Sequence, residues 1–371
     1  MKNRKLSATR GYRGCARWGG RGTYTVVVAH DTLAHPTAPL GRFMQYRAPL
    51  CHVTVRICNG GARVVDQHTE PEGFLSVRNA SPKPAGTPLV GRSLGLRGAL
   101  NARDLGGYRA ADGRILRRGV ALRSDGLNRV TAEDLGPLGA LGLRSVVDLR
   151  SMDEVRGAGL DRLPGGVTLH HLPLLATDFD ISLLVRDALA DQSPQRQRAL
   201  LGDGRAAALM TGLYRWFVTD PVARERFAAL LRLLAAPQGP PLLFHCSAGK
   251  DRTGWAAALL LTALGVDRGT VLADYLLTNE RSAPVVRGVL GDFAARGLMR
   301  EPELLLPVFR ADGGYLDAAF AEVEAGWGGF DAFWRDGLGL DDEVLAGLRA
   351  NLLDEPGAGR GPAPGGGLSP R

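Results

Sequence analysis

Cysteine is scarce in this chain. Its four copies, Cys15, Cys51, Cys58 and Cys246, are too scattered over 371 residues for a disulfide scaffold, so a reducing compartment is expected, with the cytoplasm as the location. Long apolar runs are missing as well. The longest, around Ala256–Leu264, falls far short of the roughly 20 residues needed to cross a bilayer. No charged start leads into an apolar core as in a secretory signal. Stable membrane insertion is therefore not expected. Aromatics make up only 6%, yet 45% hydrophobic and 23% charged residues are an ordinary globular composition, which excludes disorder throughout.

Acidic residues are rare only at the front. Residues 1–95 hold 14 Lys+Arg against 4 Asp+Glu, which leaves 32 against 34 for residues 96–371. The net charge of +8 would suggest nucleic acid, but the basicity belongs to the front segment and no nucleic-acid partner is expected. That segment lacks a sustained helical period and is rich in turn residues, so residues 1–95 are expected to be a basic, poorly ordered extension with a short strand at Thr23–Val28. Cys51-His52 with Cys58 lacks the paired C-x-x-C spacing of a zinc motif. Residues 355–371, dominated by Gly and Pro, read as a flexible tail. The working domain is 96–354, the size of one domain.

Inside it, strand-like and helical runs alternate. Val120–Arg123, Ser145–Leu149, Thr168–Leu172 and Leu242–His245 are short, apolar and bounded by turn residues, like buried parallel strands. Thr131 caps a helix start with acids in its first turn. Ala207–Phe217, Ala223–Ala236, Gly254–Leu264 and Thr270–Thr278 have helical length and spacing. The alternation predicts an α/β layer fold with a mainly parallel sheet flanked by helices. Chemistry is then expected beyond the carboxyl ends of the strands.

The strand Leu242–His245 runs through Cys246-Ser247-Ala248-Gly249-Lys250-Asp251-Arg252-Thr253-Gly254 into a helix. A bare Cys-x5-Arg is weak in an arginine-rich chain, and a second copy, Cys15…Arg21, leads into a strand instead. Between strand end and helix start, however, the backbone N–H groups and the helix dipole form an anion cradle. Ser247, Ala248 and Gly249 are small enough to let it close on a phosphate, Lys250 adds a cation, and Arg252 grips two oxygens through its planar fork. The same cradle favours a thiolate at Cys246, which then attacks phosphorus in line and forms a phosphocysteine. No metal or cofactor is required. A buried, inert Cys246 is the bland alternative, but Cys246 is the sole cysteine and Lys250 the sole lysine in residues 96–371. Asp148 and Arg150 end a neighbouring strand and should face the same edge, where Asp148 pairs with Lys250 or Arg252, acts as the acid, or is merely satisfied locally.

His245-Cys246-x5-Arg252-Thr253-Gly254 resembles the phosphate loop of cysteine-dependent protein phosphatases. The Gly249–Gly254 form is similar to that of the atypical bacterial protein-tyrosine phosphatases, the family related to mycobacterial protein tyrosine phosphatase B. Asn101–Tyr108, Leu122-Arg123-Ser124, Val147–Arg150 and Asp274–Asn279 resemble further landmarks of that family in the same order, with Ala102 where an aromatic residue is more usual. The resemblance spans about 98–352 and leaves residues 1–95 uncovered.

The resemblance implies a protein-tyrosine-phosphatase-like fold and a phosphotyrosine hydrolase in which Asp251 serves as the acid, His245 orients the loop and Thr253 offers its hydroxyl to the departing thiolate. The Arg103–Gly107 turn holding Asp104 reads as a brace before it reads as catalytic. His170 and His171 lie far from any paired ligand and are expected in core or surface roles. The segment Leu175–Ala206 is either a charged connector or, as the resemblance implies, a helical lid. The expected partner is a phosphorylated protein, with phosphoserine/threonine open beside phosphotyrosine; Lys250 keeps a phosphoinositide substrate in view. A non-catalytic phosphate binder is disfavoured because nucleophile and arginine are both present, and rhodanese-like sulfur transfer does not call for the arginine. Oligomeric state is open.

Overall fold

The computed structural model describes residues 91–176, 181–190 and 193–355, and the backbone of two strands, Thr23–Val28 (β1) and Cys51–Arg56 (β2). Cys15, the Cys51-His52-Cys58 side chains and the tail beyond residue 355 lie outside the described residues. The remaining strands are Arg92–Ser93 (β3), Arg103–Asp104 (β4), Ala121–Ser124 (β5), Ser145–Asp148 (β6), Thr168–His171 (β7) and Leu242–His245 (β8). They form one sheet in the order β2-β1-β7-β6-β8-β5-β4-β3. From β1 through β7, β6 and β8 to β5 all pairs are parallel, and antiparallel pairs finish both edges. The mainly parallel α/β class expected from the alternation is the one observed.

Strand periodicity sorts the core. Leu122, Val146 and Leu243 point to one face with Leu138 of helix α1 (Ala132–Ala140). Ala121, Val147, Leu242 and Phe244 point to the other. Thr131 caps α1 in a full capping box with Asp134. A second capping box, Ser151 with Glu154, starts the short helix α2 (Met152–Ala158) directly after β6. Among its described residues the segment 175–206 contains two helices, α3 (Ile181–Ala190) and α4 (Pro194–Leu201).

Helices α5 (Arg205–Thr219), α6 (Pro221–Ala235) and α7 (Asp251–Ala263) cover the Phe244 face. Then come α8 (Arg268–Ala295), the short α9 (Leu306–Phe309), α10 (Gly313–Trp327), α11 (Phe330–Ala332) and α12 (Asp342–Leu352). α8 runs through Pro284 far beyond Thr278. Its second half buries few side chains, so no apolar period marks it in the sequence. A third apolar cluster joins α3, α4 and the α8–α9 region through Ala188, Leu201, Met299, Leu305 and Val308. Among the described residues no helix is long and apolar enough to cross a membrane.

Candidate active site

β8 is the central strand, and the register sets Asp148 of β6 and Ser124 of β5 on either side of His245. The segment after β8, Cys246–Lys250, therefore emerges at the carboxyl edge between two strand ends. α7 begins at Asp251, three residues before the Gly254 expected from apolar spacing, so Asp251 and Arg252 stand in its first turn.

The loop's carbonyls are held from outside. Cys246 O faces His245 Nδ1 at 3.2 Å, and Ser247 O accepts from Gly126 N at 3.1 Å. Ala248 O and Gly249 O each accept from Asn101 Nδ2 at 3.1 Å, and Gly249 O also from Arg123 Nη2 at 2.9 Å. In a trans peptide the next N–H points opposite to the carbonyl. The N–H groups of Ser247, Ala248, Gly249 and Lys250 are thereby turned to the inner side of the loop, and they have no protein acceptor among the described residues. Such a ring of donors at a helix N-terminus is an anion site. Gly249 is required at its position, with φ +65° and space for a Cβ only 2.4 Å from Ser124 O.

Asn101 and Arg123 are themselves braced. Asp274 of α8 takes Arg103 Nε at 3.0 Å, Arg123 Nη1 at 2.6 Å and the Tyr108 hydroxyl at 3.0 Å. Arg103 Nη1 reaches Asn101 Oδ1 at 2.5 Å. Burial pushes the Asp274 carboxyl up, but Arg103 and Arg123 outweigh it and hold it at about 2. The same burial, with Arg103 alongside, lowers the Arg123 guanidinium from its usual range.

Arg252 is aimed by Glu154. Its Nη1 and Nη2 each meet a Glu154 oxygen at 2.6 Å, and Nη1 also donates to Leu149 O at 3.2 Å and Leu174 O at 3.3 Å. Nε and the second Nη2 hydrogen are left without a protein acceptor among the described residues, a parallel pair suited to two phosphate oxygens. Glu154 accepts further from Ser247 Oγ at 2.6 Å and Ser151 N at 2.8 Å. Burial raises its carboxyl, yet Arg252 and Ser247 bring it down to about 2, and Arg252 is pushed the other way, upward.

Asp251 accepts from the Tyr214 hydroxyl at 3.0 Å, and that hydroxyl lies 2.6 Å from Tyr275 Oη. Burial and then the Asp251 charge raise Tyr214 well above the ordinary tyrosine range, so the pair stays neutral. Lys250 is 2% exposed. Its Nζ donates to Val308 O and to Arg310 O at 3.1 Å, and sits 3.4 Å from Asp251 Oδ1. The lysine thus offers the cradle its backbone N–H, while its ammonium is committed to the α9 segment.

A model of the tyrosine phosphatase family matches residues 94–354. A protein of Cupriavidus necator named as a tyrosine-protein phosphatase is 37% identical over 286 residues, 76% of this chain and 96% of its own length. The triple specificity protein phosphatase PtpB of Mycobacterium tuberculosis is 33% identical over 280 residues, 70% of this chain and 98% of its own. This chain belongs to the tyrosine phosphatase family. It is a protein-tyrosine phosphatase, a hydrolase of a family that works through a phosphocysteine.

Behind the cysteine of this phosphatase lies a second polar layer. Asp148 is 2% exposed and bound by Arg150, with Nη2 at 2.8 Å and the Arg150 backbone N–H at 2.9 Å. Its pairing is thus with Arg150, two residues on, and not with Lys250 or Arg252. Arg150 Nη2 also reaches Asp161 at 2.8 Å, and Asp161 meets His245 Nε2 at 2.9 Å. Asp148, Asp161 and His245 could geometrically surround an ion, but the cation bridging both carboxylates is the Arg150 guanidinium.

Asp104 stands apart: its oxygens take Gly106 N and Gly119 N, both at 2.8 Å, and brace a turn. His171 Nε2 meets Arg150 O at 2.7 Å, and His170 lies 3.3 Å from Ser145 Oγ. Thr253 is buried, and its Oγ1 has no partner among the described residues.

Sequence reasoning passed over Glu154, Asp161 and Tyr214. Glu154 carried a signal, Ser151-x-x-Glu154, but that pattern reads as a helix cap. Asp161 and Tyr214 carried none.

Proposed function

We propose that this phosphatase hydrolyses phosphotyrosine in protein substrates with Cys246 as nucleophile, Arg252 and the 247–252 amides as the phosphate cradle, and Asp251 as general acid. The thiolate of Cys246 attacks phosphorus, the S–P bond forms, and the P–O bond to the tyrosine breaks as Asp251 gives its proton to the phenolate oxygen. Water then attacks the phosphocysteine, Asp251 takes back a proton, and inorganic phosphate leaves. The hydroxyl of Thr253, without a partner among the described residues, is available to the departing thiolate. Charge developing on the equatorial oxygens meets N–H groups already oriented, which avoids reorganisation during the reaction.

One observation carries this reading: every carbonyl from Cys246 to Gly249 is tied outward, so the N–H groups converge on one anion position beside the free edge of Arg252. The lipid reading depended on the Lys250 ammonium, which here is spent on Val308 O and Arg310 O. The deciding experiment is a panel of phosphotyrosine peptides, phosphoserine peptides and phosphoinositides, run in EDTA with wild-type protein and Cys246→Ser. Turnover of phosphotyrosine that vanishes in the variant, with a phosphocysteine trapped by rapid acid quench, is the expected result. Preference for a phosphoinositide, or activity surviving in Cys246→Ser, would overturn it.

A further inference from the structure

We propose that Asp161 is a positioning residue of this phosphatase, holding His245 as an imidazolium behind Cys246 so that the nucleophile stays a thiolate. The inference rests on the reading of Cys246 as nucleophile and adds a residue to it.

The geometry speaks through donor and acceptor roles. His245 is wholly buried, and each ring nitrogen faces an oxygen: Nε2 the Asp161 carboxylate at 2.9 Å, Nδ1 the Cys246 carbonyl at 3.2 Å. A carbonyl only accepts, and so does an ionised carboxylate. Both nitrogens therefore carry hydrogen, which makes the ring a cation. Charge counting agrees. The closed cluster holds two carboxylates, Asp148 and Asp161, and one guanidinium, Arg150, which bridges them at 2.8 Å on each side. A protonated His245 completes neutrality in a site whose side chains are almost fully buried.

Other charges around the ring are already paired. From β6 comes Asp148, 3.9 Å from Nδ1, bound to Arg150. From the β5 side comes Asp125, whose oxygens take Asn101 N and Arg129. In the loop and α7, Arg252 is matched by Glu154; from β7, His171 is turned to Arg150 O. Among the described residues Asp161 is the one carboxylate in hydrogen-bond contact with the ring, and its other oxygen is fixed by Leu127 N at 3.1 Å and by Arg150. Burial pulls the imidazole down, but the charges of Asp161 and then Asp148 outweigh it and raise it to about 9. A cation one residue from Cys246 favours the thiolate.

The test reads the thiolate directly. The pH dependence of Cys246 alkylation by iodoacetamide is measured on the full-length wild type, Asp161→Asn, His245→Gln and the double variant. Asp161→Asn is expected to move the alkylation midpoint up by about one pH unit, which lowers the thiolate fraction about tenfold at any pH well below both midpoints. The acidic limb of kcat/KM should move with it. In the His245→Gln background the Asp161 change should add nothing. An unchanged profile in Asp161→Asn, or a displaced midpoint that persists without His245, would overturn the proposal. Should Asp161→Asn fold poorly, nitrogen-15 spectra of the wild-type histidines decide: both His245 nitrogens protonated at pH 7.5 is expected, and a neutral ring there refutes it. A wild-type Cys246 that titrates like an ordinary thiol, near 8.5, would instead overturn the nucleophile reading itself.

Discussion

Two aspartates sit within reach of the phosphate loop, and their partners set their roles. Asp251 opens α7 with one oxygen on the Tyr214 hydroxyl, partly exposed, whereas Asp148 is buried with both oxygens on Arg150. Expelling a phenolate needs a proton, and a general acid contributes about 10²–10⁴-fold. Asp251→Asn is therefore expected to cost that much on a phosphotyrosine peptide and far less on p-nitrophenyl phosphate, flattening the basic limb of the pH profile. Asp148→Asn should depress both substrates evenly, because it unsettles Arg150 and the layer beneath the loop. Steady-state kinetics across a leaving-group series checks both; leaving-group sensitivity confined to Asp148→Asn would move the acid role there.

The proposed phosphate loop lies between β8 and α7, and three other parts of the fold hold it open: the stretch from Asn101 to β5 through Asn101 and Arg123, α2 through Glu154, and α9 through Lys250. Gly249→Ala would force an L residue into φ +65° and drive a methyl into the β5 end, 2.4 Å from Ser124 O. A displacement of an ångström in a catalytic constellation costs about 10²-fold, so kcat should fall at least that far while circular dichroism stays native. Lys250→Met would strand two carbonyls, Val308 O and Arg310 O, at about 1–3 kcal/mol each where buried. The expected outcome is a lower melting temperature with equal activity losses on phosphotyrosine and on inositol phosphates. A selective loss on the inositol phosphates would return the ammonium to the substrate.

Over the whole molecule, buried charges make stability depend on pH from both sides. His245 is raised from 6.5 to about 9, so the folded state holds the extra proton: its contribution is complete below 6.5 and lost as pH rises through about 9. Glu154 and Asp274 are lowered to about 2 from 4.5 and 3.8, so theirs is complete above 4.5 and lost as pH falls toward 2. Denaturant midpoints should therefore plateau between about pH 4.5 and 6.5 and decline on both flanks, and His245→Gln should remove the basic decline. At the same scale, a chain beginning at Gly91 keeps the Arg281 bond to Gly91 O at 2.8 Å and loses, of the described elements, β1 and β2, which are separated from β8 by β7 and β6. It should fold and retain full turnover per molecule; insolubility or lost activity would show that residues 1–90 belong to the working domain.

The strand-loop-helix that carries the proposed nucleophile and arginine was legible in the sequence because it is contiguous: Leu242 to Gly254 builds its own anion cradle from local backbone geometry and one helix dipole. The parallel sheet was legible for the same kind of reason, since short apolar runs bounded by turns announce buried strands without knowledge of their neighbours. What lies across the sheet was not. Lys250 and Asp148 carry charge that several partners in the chain could match, and only the packing of α9 and the two-residue reach of Arg150 chose among them. Glu154 looks in sequence like a helix cap and is one, yet folding also sets it against Arg252 and Ser247. Asp161 stands 84 residues from His245, and no local pattern encodes their contact. Side-chain electrostatics is a matter of distance through a low-dielectric interior, and that distance exists only once the strands have been brought side by side.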